Sequence, residues 1–147
     1  MSSARRRSRE LALQGLYQWQ YTGASASQVL KNLKDLDGYE SADADFLKEE
    51  LTGAIGGSDE LRAQLEPLAD RKWDDVSPIE RAILLIGAWE LMHRPEIPYR
   101  ATINEAIELG KRFGGTKGYK YVNGILDKLA REARADEAQR KEKRNDR

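Results

Sequence analysis

The chain has no cysteine and a single histidine, His93. The first absence removes disulfides, thiolate zinc sites and thiol nucleophiles, and the second removes any His-rich metal cage. No apolar stretch approaches the roughly 18 residues that suggest a membrane span. The basic opening runs into Glu10 and an amphipathic pattern, without the apolar block and small-residue cleavage site of a secretion signal. A cytoplasmic protein is therefore expected. An excess of one charge is missing too: 25 basic residues balance 25 acidic ones. Nucleic-acid binding cannot be argued from overall charge and must rest on clustering. Alternating runs that would mark strands are also absent.

What remains is a chain of 147 residues, 39% hydrophobic and 34% charged, long enough for one domain with its own core. Caps and breakers divide it into about seven helical segments, which gives an all-α fold. The first runs from about Arg5 to Tyr21. Ser25 or Ser27 caps the second, and the third starts near Ser41 or Asp43, carries Phe46, Leu47, Leu51, Ala54 and Ile55, and stops at Gly56 and Gly57. The fourth, capped by Ser58, buries Leu61, Leu65 and Leu68. Ser77-Pro78-Ile79-Glu80 is the clearest start signal, with serine as cap, proline in the first turn and glutamate placed for a capping box. The helix after it is apolar almost all round, from Ile79 to Met92, which predicts a central position. Pro95 and Pro98 end it. A sixth segment covers roughly Ala101 to Phe113, closing at Gly114-Gly115, and a seventh starts near Gly118 and buries Val122, Ile125, Leu126 and Leu129. The polar link around Trp73 separates two packed sub-bundles, about 5–69 and 77–130, that share one core within a single domain spanning 1–130. Over 131–147 only alanines interrupt the charges early on, so a solvated, fraying helix or flexible tail is expected.

Arg5, Arg6, Arg7 and Arg9 crowd the start of the first helix, where the macrodipole favours acidic residues. Helix stability does not explain them. At about 100° per residue, Tyr17 falls about 20° from Arg6 on the wheel, while the core stripe of Ala12, Leu13, Leu16 and Trp19 lies elsewhere. One face thus offers guanidinium groups for phosphates and a ring for stacking a base, a combination suited to single-stranded nucleic acid. The alternative is a solvated basic terminus. A second cluster, Lys111, Arg112, Phe113, Lys117, Tyr119, Lys120 and Tyr121, interleaves basic and aromatic residues around Gly114-Gly115. Its alternative is an ordinary helix junction with Phe113 in the core.

Other signals are set aside. Gly114-Gly115-Thr116-Lys117-Gly118 lacks the spacing and preceding strand of a phosphate loop. His93, at a helix end, reads as structural. Glu49, Glu50, Glu105 and Glu108 read as solvated carboxylates without a nucleophile, and Asn104 and Asn123 as buried backbone-bonding side chains. No catalytic residue, metal site or cofactor is expected.

Three blocks in order, "RRRSRELALQGLYQWQ", "SPIERAILLIGAWELMHRPEIPYRATINEAIELGKRFGG" and "YKYVNGILDKLA", closely resemble the NusB family of bacterial transcription antitermination factors. The resemblance covers about Arg5 to Ala130; residues from about Thr22 to Asp75 match mainly in helical pattern. It implies a helical fold of two small sub-bundles and no enzymatic activity. It also implies binding to the boxA element of ribosomal RNA leader transcripts as a heterodimer with NusE, a small-subunit ribosomal protein. With other Nus factors that complex modifies RNA polymerase so that terminators are read through. Carried onto this sequence, the family's RNA surface falls on Arg5, Arg6, Arg7, Arg9, Tyr17, Lys117 and Tyr121, and Lys111, Arg112 and Lys120 from the second cluster join it. The NusE contact includes Glu80. Lys117 departs from some relatives, which carry an acidic residue there. A NusB-like domain also occurs in some rRNA cytosine methyltransferases, but this sequence has no Gly-rich methyl-donor motif. A homodimer burying its basic face is a further alternative.

Overall fold

A computed structural model describes residues 3–115, 117–135 and 137. Among them are seven α-helices and no strand: α1 (Ser3–Thr22), α2 (Ala26–Leu33), α3 (Ala44–Gly56), α4 (Ser58–Leu65), α5 (Pro78–His93), α6 (Tyr99–Phe113) and α7 (Gly118–Ala133). Short 3-10 turns occupy Tyr39–Ser41, Glu66–Leu68 and Trp73–Asp75. No helix is long and apolar enough to cross a membrane.

Side-chain caps fix three of the starts, each satisfying an amide that the helix leaves unpaired. Ser25 accepts from the Gln28 amide at 3.2 Å, Asp43 from Phe46 at 3.1 Å and Ser77 from Glu80 at 3.2 Å. Asp43 prevails over Ser41 because it is tied to α1: its amide donates to the Ser8 hydroxyl at 2.9 Å, and that hydroxyl donates to the Asp43 carbonyl at 2.7 Å. Ser58 is not a cap. It is the first residue of α4, behind Gly57, which offers no side chain.

The all-round apolar helix is central, as its composition predicts. Ala82, Ile83, Leu84, Leu85, Ile86, Ala88 and Leu91 are buried, and α5 touches α1, α3, α4, α6 and α7. One cluster of buried side chains runs from Leu11 in α1 to Ala130 in α7. The N-terminal helices α1 to α4 and the C-terminal helices α5 to α7 thus share a core, each fully buried Leu or Ile contributing about 1.5–3 kcal/mol.

The end of the chain departs from expectation. Arg134 is buried, and its guanidinium donates to the carbonyls of Leu91 (2.8 Å), Ile97 (2.8 Å), Glu90 (3.1 Å) and Arg94 (2.7 Å). A cation at the C-terminus of α5 also suits the negative end of the helix dipole. Arg134 also pairs with Glu137 at 2.9 Å, and Glu137 accepts from the Tyr99 amide at 3.0 Å, at the start of α6. These two residues therefore clasp the Pro95–Pro98 link from both sides. The remainder of the expected tail, 136 and 138–147, lies outside the described residues. Asn104 and Asn123 also differ from expectation, since both face solvent.

Candidate nucleic-acid interface

The arginine run divides by its position on α1. Arg6 points outward and forms a two-pronged pair with Glu105 of α6, Nε to Oε2 at 3.1 Å and Nη2 to Oε1 at 3.0 Å. Its side chain remains 54% exposed, whereas that of Glu105 is 6% exposed. Arg7 pairs with Glu10 at 3.0 Å and donates to the carbonyls of Asp37 at 2.6 Å and Gly38 at 3.4 Å. Gly38 has φ of 85°, and a Cβ there would collide with the Arg7 guanidinium. The glycine thus serves both the turn and the arginine. Arg5 lies over the Phe46 ring at 4.6 Å, a cation–π arrangement.

Arg9 corrects the sequence reading. It is 1% exposed, and it donates to both oxygens of Glu90, Nε and Nη2 each at 2.8 Å, with Glu50 at 3.7 Å. Three residues past Arg6, the helix has turned this side chain into the interior, where it cannot reach RNA. Glu50 is likewise no solvated carboxylate: it is wholly buried beside Arg9 and Glu90. Burial, then the charge of Glu90, push its carboxyl well above the usual range. Burial opposes charge on Glu90 too, but hydrogen bonds from Glu50, Arg9 and Thr102 outweigh it and hold that carboxyl low. Thr102 donates to Glu90 at 3.0 Å. Glu105, also read as solvated, is buried under Arg6.

From the second cluster, Arg112 joins the arginine face. It pairs with Glu10 at 2.8 Å and lies 5.4 Å over the Phe113 ring. Glu10 therefore gathers Arg7 and Arg112 around one carboxylate, linking α1 to the end of α6. Lys111 is exposed beside Glu108 at 3.9 Å and over the Tyr119 ring at 5.4 Å. Lys117 is exposed at the start of α7.

Lys120 and Tyr121 stand apart, lining a depression with Leu68, Asp70, Gly124, Ile125 and Lys128. The Tyr121 ring is already covered by the Arg71 guanidinium at 4.1 Å, and its hydroxyl is buried without a partner. Burial raises that hydroxyl above its ordinary value. A stacking base cannot use the face that Arg71 occupies. Glu80 lies at this side of the molecule as well, with its carboxylate against Gly118, where a Cβ would collide with it.

Sequence reasoning missed a groove between α1 and the end of α6. It is lined by Leu13, Gln14, Tyr17, Gln18, Ile79 and Phe113. Tyr17 is 39% exposed, and its ring meets that of Tyr21 edge to face at 5.4 Å. The register of Tyr17 was legible; the approach of Phe113 and Ile79 from other helices was not.

Comparison with known proteins agrees with this architecture. A family model described as the NusB family matches residues 6–131. The transcription antitermination protein NusB of Paraburkholderia phymatum is 54% identical over 139 residues, covering 95% of this chain and 96% of its own. The solved structure of T. maritima NusB superposes with a TM-score of 0.82 at 28% identity, covering 95% of this chain and 99% of that one. A crystal structure of antitermination factors NusB and NusE in complex with dsRNA shares the fold, with a TM-score of 0.78 at 21% identity over 90% of this chain and 99% of that one. A conserved-length match across nearly the whole chain, together with the same helical architecture, places this chain in the NusB family.

Proposed function

We propose that this protein is an RNA-binding transcription antitermination factor and not an enzyme. It binds boxA of ribosomal RNA leader transcripts together with NusE and, through RNA polymerase and other Nus factors, promotes readthrough of terminators in the cytoplasm. Residues 1–130 act as one RNA-binding domain. The observation that carries the reading is the face on which Arg6, Arg7 and Arg112 are ordered by the carboxylates of Glu10 and Glu105, with Tyr17 exposed further along α1. Guanidinium groups held in place lose less freedom on meeting a phosphate, and an exposed ring on the same helix supplies a stacking surface.

The named assembly of a fold neighbour, NusB with NusE and RNA, supports the choice of partners. Arg5, Lys111 and Lys117 extend the positive surface around this face. Glu80 is assigned to the protein partner and Lys120 and Tyr121, nearby on α7, to the RNA, so that RNA and NusE meet adjoining surfaces. Phosphate contacts then supply affinity, and base contacts on the composite surface supply sequence choice.

The test is binding of a boxA RNA oligonucleotide and a scrambled one, with and without NusE. Tighter binding of boxA, strengthened by NusE, is expected. Equal affinity for the two RNAs in the presence of NusE would contradict the proposal.

A further inference from the structure

The groove of about 210 Å³ beside Tyr17 differs in character from the arginine face. Its walls are apolar and aromatic, from Leu13, Tyr17, Ile79 and Phe113, and its polar groups are the side-chain amides of Gln14 and Gln18. These two amides are four residues apart, on the same side of α1 as Tyr17. Neither is engaged by another described residue. Each offers both a donor and an acceptor.

Two further observations point to the occupant. Tyr17 and Tyr21 are the large hydrophobic side chains left exposed among the described residues, at 39% and 67%. A surface that covers its other large apolar groups leaves uncovered the ring that lines this groove and its edge-to-face neighbour. Phe113, one of the groove's walls, is also approached by Arg112, which Glu10 holds, so an ordered guanidinium, 57% exposed, lies against a residue that lines the groove. Apolar and aromatic walls, side-chain amides free of partners among the described residues and a cation against one wall match the faces, edge and phosphate of one nucleotide. A partner helix would instead need a longer apolar channel to receive anchors over several turns.

We propose that this groove takes one unstacked base of single-stranded RNA, with Gln14 and Gln18 reading its edge and Arg112 meeting the adjoining phosphate. The proposal rests on the RNA-binding reading above and adds to it the residues that choose the base.

The experiment is an abasic scan of a boxA RNA oligonucleotide in the presence of NusE, using the wild type, Tyr17→Ala, Tyr17→Phe and the double variant Gln14→Ala/Gln18→Ala. At one position, loss of the base weakens the wild type about tenfold, the scale of one stacked base. The same loss has little further effect on Tyr17→Ala, and Tyr17→Phe behaves as wild type. At that position the double glutamine variant binds all four bases within about twofold, whereas the wild type separates them by about tenfold. If base removal costs wild type and Tyr17→Ala the same factor at every position, the groove holds no base, although RNA binding itself stands. If Tyr17→Ala loses NusE and keeps its RNA affinity, the groove belongs to the protein partner and the proposal fails. Absence of wild-type binding to any of the RNAs removes the underlying reading instead.

Discussion

Arg9 in α1 and Glu90 in α5 are joined by two parallel hydrogen bonds of 2.8 Å, with both side chains sealed from water. The pair connects the first helix to the central one and lies next to a second buried carboxyl, Glu50. A buried ion pair is weak evidence of net stabilisation, but removing one partner strands the other charge.

Arg9→Ala is accordingly expected to destabilise the fold by about 3–5 kcal/mol, measured by urea unfolding. Where the variant remains folded, the salt dependence of its RNA binding should match that of the wild type. A flattened dependence would place Arg9 on the RNA after all.

Glu50 gives a pH prediction of definite sign. Its carboxyl is raised in the folded state, so between the ordinary value of about 4.3 and the raised one the folded chain holds a proton that the unfolded chain releases. The stability that this proton confers is full at low pH and declines as pH rises through that window. Glu90, held low, acts oppositely, its contribution being lost only on acidification. Glu50→Gln keeps a donor towards Glu90 without a titrating proton. The variant should therefore gain stability relative to wild type as the pH is raised from about 5 to about 9; urea midpoints that stay parallel across this range would rule the shared proton out.

Arg134 makes four backbone hydrogen bonds around the end of α5. Arg134→Ala removes the side-chain donor of the Leu91 and Ile97 carbonyls and the second donor of those of Glu90 and Arg94, at a cost of about 1–3 kcal/mol or more. A chain shortened to residue 133 should lose a similar amount in the same denaturation measurement. Unchanged midpoints for both would show that the clasp contributes nothing.

The helical framework was legible in the sequence because its signals are local. Ser77-Pro78, the all-apolar run of α5 and the glycine stops depend on neighbours within a few positions. Tyr17 was placed on the correct face by periodicity alone. Arg9 was not, because an arginine in a basic run reads as exposed until Glu90, 81 residues away, is brought beside it. The same holds for Glu10 and Arg112, 102 residues apart, and for Arg134, whose carbonyl partners carry no side-chain signature at all. The groove was illegible for a related reason: Phe113 and Ile79 reach Tyr17 only through the packing of α5 and α6 against α1.

Glu105, almost wholly buried, restrains Arg6 with a two-pronged pair. Glu105→Gln should weaken RNA binding by up to about fivefold at low salt, because Arg6 loses the carboxylate that holds it ready for a phosphate. Fluorescence anisotropy with labelled boxA RNA reads this directly. Unchanged or tighter binding would mean that orienting Arg6 contributes nothing to RNA binding.

The central claim is that the outward arginines of α1, and not the buried one, meet RNA phosphates. The most direct measurement is the slope of log affinity against log salt for boxA RNA with the Arg6→Ala/Arg7→Ala variant. Because each neutralised phosphate on a single strand contributes about −0.7, the slope should flatten by about 1.4. A slope equal to that of the wild type would contradict the assignment.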